Sequence, residues 1–217
     1  MESVLLASSS PRRSTILRSL GIPFSVVDPD IDESRQDHLP PALRVVALAE
    51  DKARSAASVA DTGTPNLIIA ADTLVCLRLP GKGSPSGSYD ETMTDEVVLG
   101  KPLDRADARR MIRLLAGRLH TVHTGLVVLD RSSDRLFPIR SDSSVTFSEI
   151  DEDEIEAYLE LNEWEGVAGA YRIQGWTSVY IKNIEGSWSG IMGLPIHELY
   201  DILKEAGYRL RPQQTAI

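Results

Sequence analysis

Thiol chemistry is nearly absent from this chain of 217 residues: Cys76 is its one cysteine, so no internal disulfide can form. Its place in an apolar run reads as core, and a lone thiol suits a reducing cytoplasm. Long apolar runs are also missing. The longest, such as "LIIAADTLVCL", are too short and too interrupted to span a bilayer. The start of the chain lacks a basic region followed by an apolar stretch and a small-residue cleavage site, so no secretory leader is expected. Basic excess is missing too. A formal net charge of -9 argues against the broad basic face that a nucleic-acid polymer needs. An acidic chain can still hold one small anion if a few cations converge, so the placement of individual Arg and Lys residues carries the information.

What is present is an alternation of short apolar runs and amphipathic stretches, with some hairpin-like pairs, which predicts a mixed-sheet α/β fold. "SVLLA" (3–7) reads as a strand. Ser10 suits an N-cap, Pro11 the first helical position, and Gly21 the stop. "FSVVDPDIDES" (24–34) reads as a strand ending in an acidic turn, and a second helix is expected from Pro41. Residues 66–77 read as a buried strand pair or one long strand, and 79–100 as an extended hairpin loop. Asp104 can cap a helix. Ser148 and Asp151 are expected to form a capping box before "EDEIEAYLEL". "SVYIKNIEG" reads as a strand, and a last helix runs from Pro195 to Gly207. Trp164, Trp176 and Trp188 read as packing or rim residues.

"LASSSPRRSTILRSLG" joins the first strand to the first helix. A helix N-terminus already carries partial positive charge, and Arg12 and Arg13 add to it. Two explanations stand. The arginines pair with acids in solvent, or exposed N–H groups, serine hydroxyls and guanidinium forks together bind a phosphate. The position after a buried strand, where α/β ligands usually bind, leans towards phosphate.

Asp72 interrupts "LIIAADTLVCL", and a carboxylate in a buried strand is expensive unless paired, coordinated or at a cleft edge. It reads as a metal ligand or a general base for water, or else as a strand-end cap. Glu33 can supply a second carboxylate, and hard oxygens of this kind suit Mg²⁺ bound along with phosphates. Alone, Glu33 is a solvated turn residue and Lys52 a surface lysine. Lys101 in "LGKP" is better placed to aim a point charge. "PGKGS" (80–84) lacks phosphate-loop spacing and is discounted. His120 and His123 sit on opposite strand faces, which argues against a shared metal. Gln174, in "AGAYRIQG", can read a base edge through its amide.

"LASSSPRR", "DIDES", "EDKAR", "AADT", "GKP", "TGL", "AGAYRIQG" and "MGLPIHEL" follow one another along nearly the whole chain. This ordered set resembles the Maf family, nucleoside triphosphate pyrophosphatases once described as septum-formation inhibitors. The resemblance implies a single Maf-like domain over 1–217. Its fold would be a mixed twisted α/β sheet with flanking helices, in two lobes around a cleft, as in the inosine triphosphate pyrophosphatases. It implies hydrolysis of dTTP, UTP or modified pyrimidine nucleotides to the monophosphate and pyrophosphate, with Mg²⁺ or Mn²⁺. The family is intracellular and often dimeric, so a cytoplasmic protein, a homodimer, and no membrane or nucleic-acid polymer partner are implied.

By matching position, Asp72 is the proton acceptor and, with Glu33, a metal ligand. Ser8, Ser10, Arg12, Arg13, Lys52 and Lys101 face phosphate. Arg12, Thr73 and Gln174 match positions associated with the dTTP- and UTP-preferring branch. Val167 stands in place of a lysine, Arg172 of a glycine and Gly190 of an asparagine, and the loop at 79–100 is long. These departures keep a second expectation open, a nucleotide-sensing cell-division regulator with weak or no catalysis.

Overall fold

Apolar runs alternating with amphipathic stretches fold as a mixed α/β structure in the computed structural model, which describes residues 2–80 and 94–211. In chain order the elements are β1 (Val4–Ala7), α1 (Pro11–Ser19), β2 (Phe24–Val27), α2 (Pro41–Ser58), β3 (Leu67–Pro80) and β4 (Thr94–Leu99). Next come α3 (Arg105–Leu115), β5 (Leu119–Asp130), β6 (Arg135–Phe147) and α4 (Glu152–Leu159). The chain closes with β7 (Ile181–Glu185), α5 (Trp188–Met192) and α6 (Ile196–Glu205). The strands form a seven-stranded mixed sheet in the order β2-β1-β3-β5-β6-β7, with β4 paired to β3. β1 runs parallel to both β2 and β3, while β4 pairs antiparallel with β3 and β7 antiparallel with β6.

Several local expectations change. The strand at 24–34 stops at Val27, because Pro29 and the Asp-rich run favour turns. Glu33 instead opens a 3-10 turn, Glu33–Gln36, where Asp32 accepts from the Ser34 amide. The capping box before α4 belongs to Asp151 and Glu154, not to Ser148 and Asp151; each side chain accepts from the other's amide. Residues Trp176–Tyr180 form a 3-10 turn, so the strand expected there begins at Ile181. β3 and β4 supply the arms of the expected hairpin, but 81–93, with most of "PGKGS", lie outside the described residues.

The chain divides into two compact units. The first comprises Met1–Thr73, His123–Asp142 and Ser187–Ile217; the second comprises Leu74–Val122 and Ser143–Gly186. In the first, α2 presents a smooth face of Ala49, Ala53 and Ala56 to Leu5, Ala7, Ile68, Ala70, Val127 and Leu129. Short side chains let the helix lie close to the strands. The approach is tightest at Gly125 of β5, where a Cβ would stand 2.2 Å from the Val45 carbonyl oxygen. A strand-interior glycine marks such a contact.

In the second unit α3 and α4 bury Met111, Ile112, Leu115, Ile155, Tyr158 and Leu159. Arg105, Arg109 and Arg113 pair with Glu152, Glu156 and Glu160 along their exposed edge. Gly169 has a left-handed φ of 68°, and a Cβ there would come within 3.0 Å of Val75. Cys76 is buried, as its apolar surroundings in the sequence suggest. His120 is 1% exposed, edge-on to Phe147 and Tyr171, and hydrogen-bonded to the Tyr171 hydroxyl at 2.9 Å.

Two predictions follow from this packing. Gly125→Ala should destabilise the protein by about 3 kcal/mol in urea unfolding, because α2 must shift. Burial pulls the His120 pKa down from 6.5 to about 4. Between those values the unfolded chain binds a proton that the folded chain refuses. The stability due to neutral His120 is therefore complete above the upper value and lost as pH falls through the window, up to about 3 kcal/mol in all. His120→Gln should flatten that loss, measured as urea midpoints across the same pH range.

Candidate active site

The first unit collects most of the polar residues singled out in the sequence. Lys52 is not a surface lysine: it is only 8% exposed. The buried stripe of α2 runs Val45, Leu48, Ala49, Lys52, Ala53, Ala56, so the helical period carries Lys52 inward. A charge there requires partners. Its Nζ donates to Asp72 Oδ1 at 2.6 Å and lies 2.8 Å from Glu33 Oε1. Asp72 is buried in β3, whereas the Glu33 side chain is 51% exposed, so the triad is open to solvent at its Glu33 end. Two carboxylates converging on one cation form a hard, oxygen-rich group with one net negative charge.

Arg13 lies beside this group. Nε donates to the Gly193 carbonyl at 2.8 Å, Nη1 to Ser8 Oγ at 2.9 Å, and Nη2 to Thr73 Oγ1 at a longer 3.4 Å. Burial lowers the pKa of its guanidinium, against the opposing pull of Asp72 and Glu33. Three of the five donors of Arg13 are thus directed at protein oxygens. Arg12 is half-buried in the same first turn of α1, which contains no acidic residue. Ser10 takes the N-cap position, but its side chain makes no capping bond; its amide donates to Ser8 Oγ at 3.2 Å. The arrangement combines a helix start, two guanidinium groups and buried hydroxyls, which is a chemistry suited to an oxyanion.

Lys101 and Gln174 belong to the second unit, where both are exposed. Lys101 follows β4, and the preceding Gly100 carbonyl accepts from the Gly169 amide. Of the departing positions, Val167 is buried, and the Arg172 carbonyl accepts from Thr177 and Gly175. His123 Nδ1 meets Asp142 Oδ1 at 2.7 Å, a different partner from that of His120.

Two groups in the network were not singled out in the sequence. Thr124 of β5 reaches Thr73 and the Gly190 carbonyl. Gly193, left-handed at φ 109°, supplies the carbonyl for Arg13; a Cβ there would stand 3.3 Å from Thr73 Oγ1. The "TGL" and "MGLP" motifs held the clue, since a glycine inside a strand and a glycine before Leu-Pro both mark constrained backbone.

A family model described as "Maf-like protein" matches residues 3–206. The chain belongs to the Maf-like protein family. Among curated relatives, the dTTP/UTP pyrophosphatase of Treponema denticola is 38% identical over 212 residues, covering 97% of this chain and all of the relative. The dTTP/UTP pyrophosphatase of Pelotomaculum thermopropionicum is 39% identical over 210 residues, with coverage of 97% and 100%. That of Bacillus cereus is 34% identical over 205 residues, with coverage of 94% and 90%.

Lys52→Met removes the cation from between two carboxylates. It should destabilise the fold by about 3–5 kcal/mol, the usual result of breaking a buried pair from one side. Asp72→Asn added to Lys52→Met should restore part of that loss, since the stranded buried charge disappears. Urea unfolding of the two single variants and the double variant measures both effects.

Proposed function

We propose that this chain hydrolyses nucleoside triphosphates, dTTP and UTP foremost, to the monophosphate and pyrophosphate, with 1–217 acting as one functional domain. The observation that carries this reading is the Lys52–Asp72–Glu33 triad beside Arg13 at the start of α1. An acid able to handle water stands next to cations able to hold phosphate. The names of the curated relatives support the pyrimidine preference. No observation favours the alternative of a binding protein without catalysis.

The triphosphate brings several negative charges, so cations must outweigh the acids locally. Arg12, the remaining donors of Arg13, Lys52 and the hydroxyls of Ser8 and Ser10 receive the phosphate oxygens. Asp72 orients a water for attack on the α-phosphorus and takes its proton. The bond from that phosphorus to the bridging oxygen breaks, and pyrophosphate leaves with the bond's electrons. Lys52 holds Oδ1 and so fixes the plane of the carboxylate. Asp72 and Glu33 fit a divalent cation, because their oxygens already converge on one positive centre. Mg²⁺ or Mn²⁺ held there would supply charge neutralisation for the phosphates.

Roles for Lys101 at phosphate and Gln174 at the base carry over from the family resemblance alone. So do the homodimer and a cytoplasmic location. Among the described residues no helix is long and apolar enough to cross a membrane.

The test is pyrophosphate release from a panel of nucleoside triphosphates with Mg²⁺ or Mn²⁺. The wild type should act on dTTP and UTP ahead of CTP, ATP and GTP. Asp72→Asn should lower kcat by about a hundredfold or more while far-ultraviolet circular dichroism shows a retained fold. Wild-type-like release from Asp72→Asn would falsify the assignment of the base.

A further inference from the structure

Glu33, the solvent-exposed acid of the triad, is carried by a stretch that apolar packing does little to hold. Residues 28–40 join β2 to α2, and the 3-10 turn within them, Glu33–Gln36, buries no residue. Polar bonds must therefore set its place. Asp32 fixes the turn internally, accepting from the Ser34 amide at 3.1 Å and from the Ser34 hydroxyl at 2.6 Å. How the turn is aimed at α2 is decided elsewhere.

A 3-10 helix has about three residues per turn, so side chains at i and i+3 eclipse. Glu33 and Gln36 are such a pair, and both reach α2. Glu33 Oε1 lies 2.8 Å from Lys52 Nζ, and Gln36 Nε2 donates to Asp51 Oδ2 at 2.7 Å. Asp51 and Lys52 are consecutive in α2. An ionised carboxylate only accepts, so the Gln36 amide presents its nitrogen. Such a charge-assisted bond is stronger than a neutral one. Two bonds from one face of the turn to neighbouring residues of one helix fix its rotation as well as its place; one bond alone leaves it free to swing. Ser55 donates to the Asp30 carbonyl at 3.3 Å, and Arg44 pairs with Asp37. Asp30 precedes the turn and Asp37 follows it, so these bonds hold its flanks.

We infer that Gln36 and Asp51 are positioning residues whose bond holds the Glu33 carboxylate at Lys52. This rests on the nucleotide-hydrolysing function proposed above, in which Glu33 serves the site. An amide suits position 36 because it ties the turn to Asp51 without bringing another negative charge beside Asp51, Glu33 and Asp72.

The experiment measures kcat/KM for UTP with Mg²⁺, and urea midpoints, in Gln36→Glu, Asp51→Asn, the two combined, and Glu33→Gln with and without Gln36→Glu. Gln36→Glu sets two carboxylates face to face and should lower kcat/KM about tenfold, the weight of one hydrogen bond. Asp51→Asn keeps an acceptor oxygen and should stay within about threefold of the wild type. The combined variant re-forms the bond in the reverse direction, the new amide donating to the new carboxylate, and should also return to within about threefold. Added to Glu33→Gln, which is itself impaired, Gln36→Glu should cost nothing further, because no carboxylate remains to be aimed. Urea midpoints should stay level across the Gln36 and Asp51 variants. Gln36→Ala should show the same direction of loss and serves if Gln36→Glu does not fold. Several results overturn the inference: a combined variant no better than Gln36→Glu, equal losses with and without the Glu33 carboxylate, losses that track the urea midpoints, or a Glu33→Gln variant with the wild-type rate. A wild type that releases no pyrophosphate from UTP overturns the proposed function as well. An active wild type and an impaired Glu33→Gln beside an unimpaired Gln36→Glu overturn the role of Gln36 and Asp51 alone.

Discussion

The ammonium of Lys52, held between Asp72 and Glu33, is the constraint around which the first unit is arranged. An unpaired charge at that depth would be costly, and so would Asp72 without it. Each makes the other tolerable only if the helix carrying Lys52 lies tight against the strand carrying Asp72. The alanines of α2 and the bare backbone of Gly125 permit that closeness. Packing and electrostatics are thus one requirement: the smooth helix face exists where a charged side chain must reach a carboxylate in the sheet.

The two arginines after Ser-Pro add like charge to the positive end of a helix dipole, which is unfavourable in isolation. The structure divides them. Arg13 is tied to Gly193, Ser8 and Thr73, and it feels the field of Asp72 and Glu33, so its charge is offset inside the protein. It frames the site as much as it fills it. Arg12, one residue earlier, occupies the first turn of α1, where helix amides and a guanidinium both favour an anion. Adjacent residues of one type therefore point in different directions, because a helix turns about 100° per residue.

Much of the fold was legible because its signals are local. Pro11, Asp104, Pro195, Gly21 and Gly207 mark helix ends through bonds and dihedral limits that act within a few residues. Where two local signals competed, the reading failed. Ser148 and Asp151 both suit a cap, and the Glu154 side chain decided for Asp151. Short turns at 33–36 and 176–180 were missed because 3-10 segments have no distinctive period. Of the site, Asp72 declared itself as an acid in an apolar strand. Lys52 was legible only through the period of α2, since its neighbours in sequence include the charged residues Glu50, Asp51 and Arg54.

The sequence by itself determined many of the helix ends, which motifs stand at those junctions, and the order that marks the family. These depend on caps, turns and periods, whose physics spans a handful of residues. Tertiary structure alone decided which polar groups meet. Lys52 and Asp72 are 20 residues apart, Thr124 and Gly190 are 66 apart, and Arg13 and Gly193 are 180 apart. No local preference fixes such pairs. They form because burying the apolar faces sets the distances, and a buried charge or hydroxyl must then satisfy its bonds with whatever the chain has brought there.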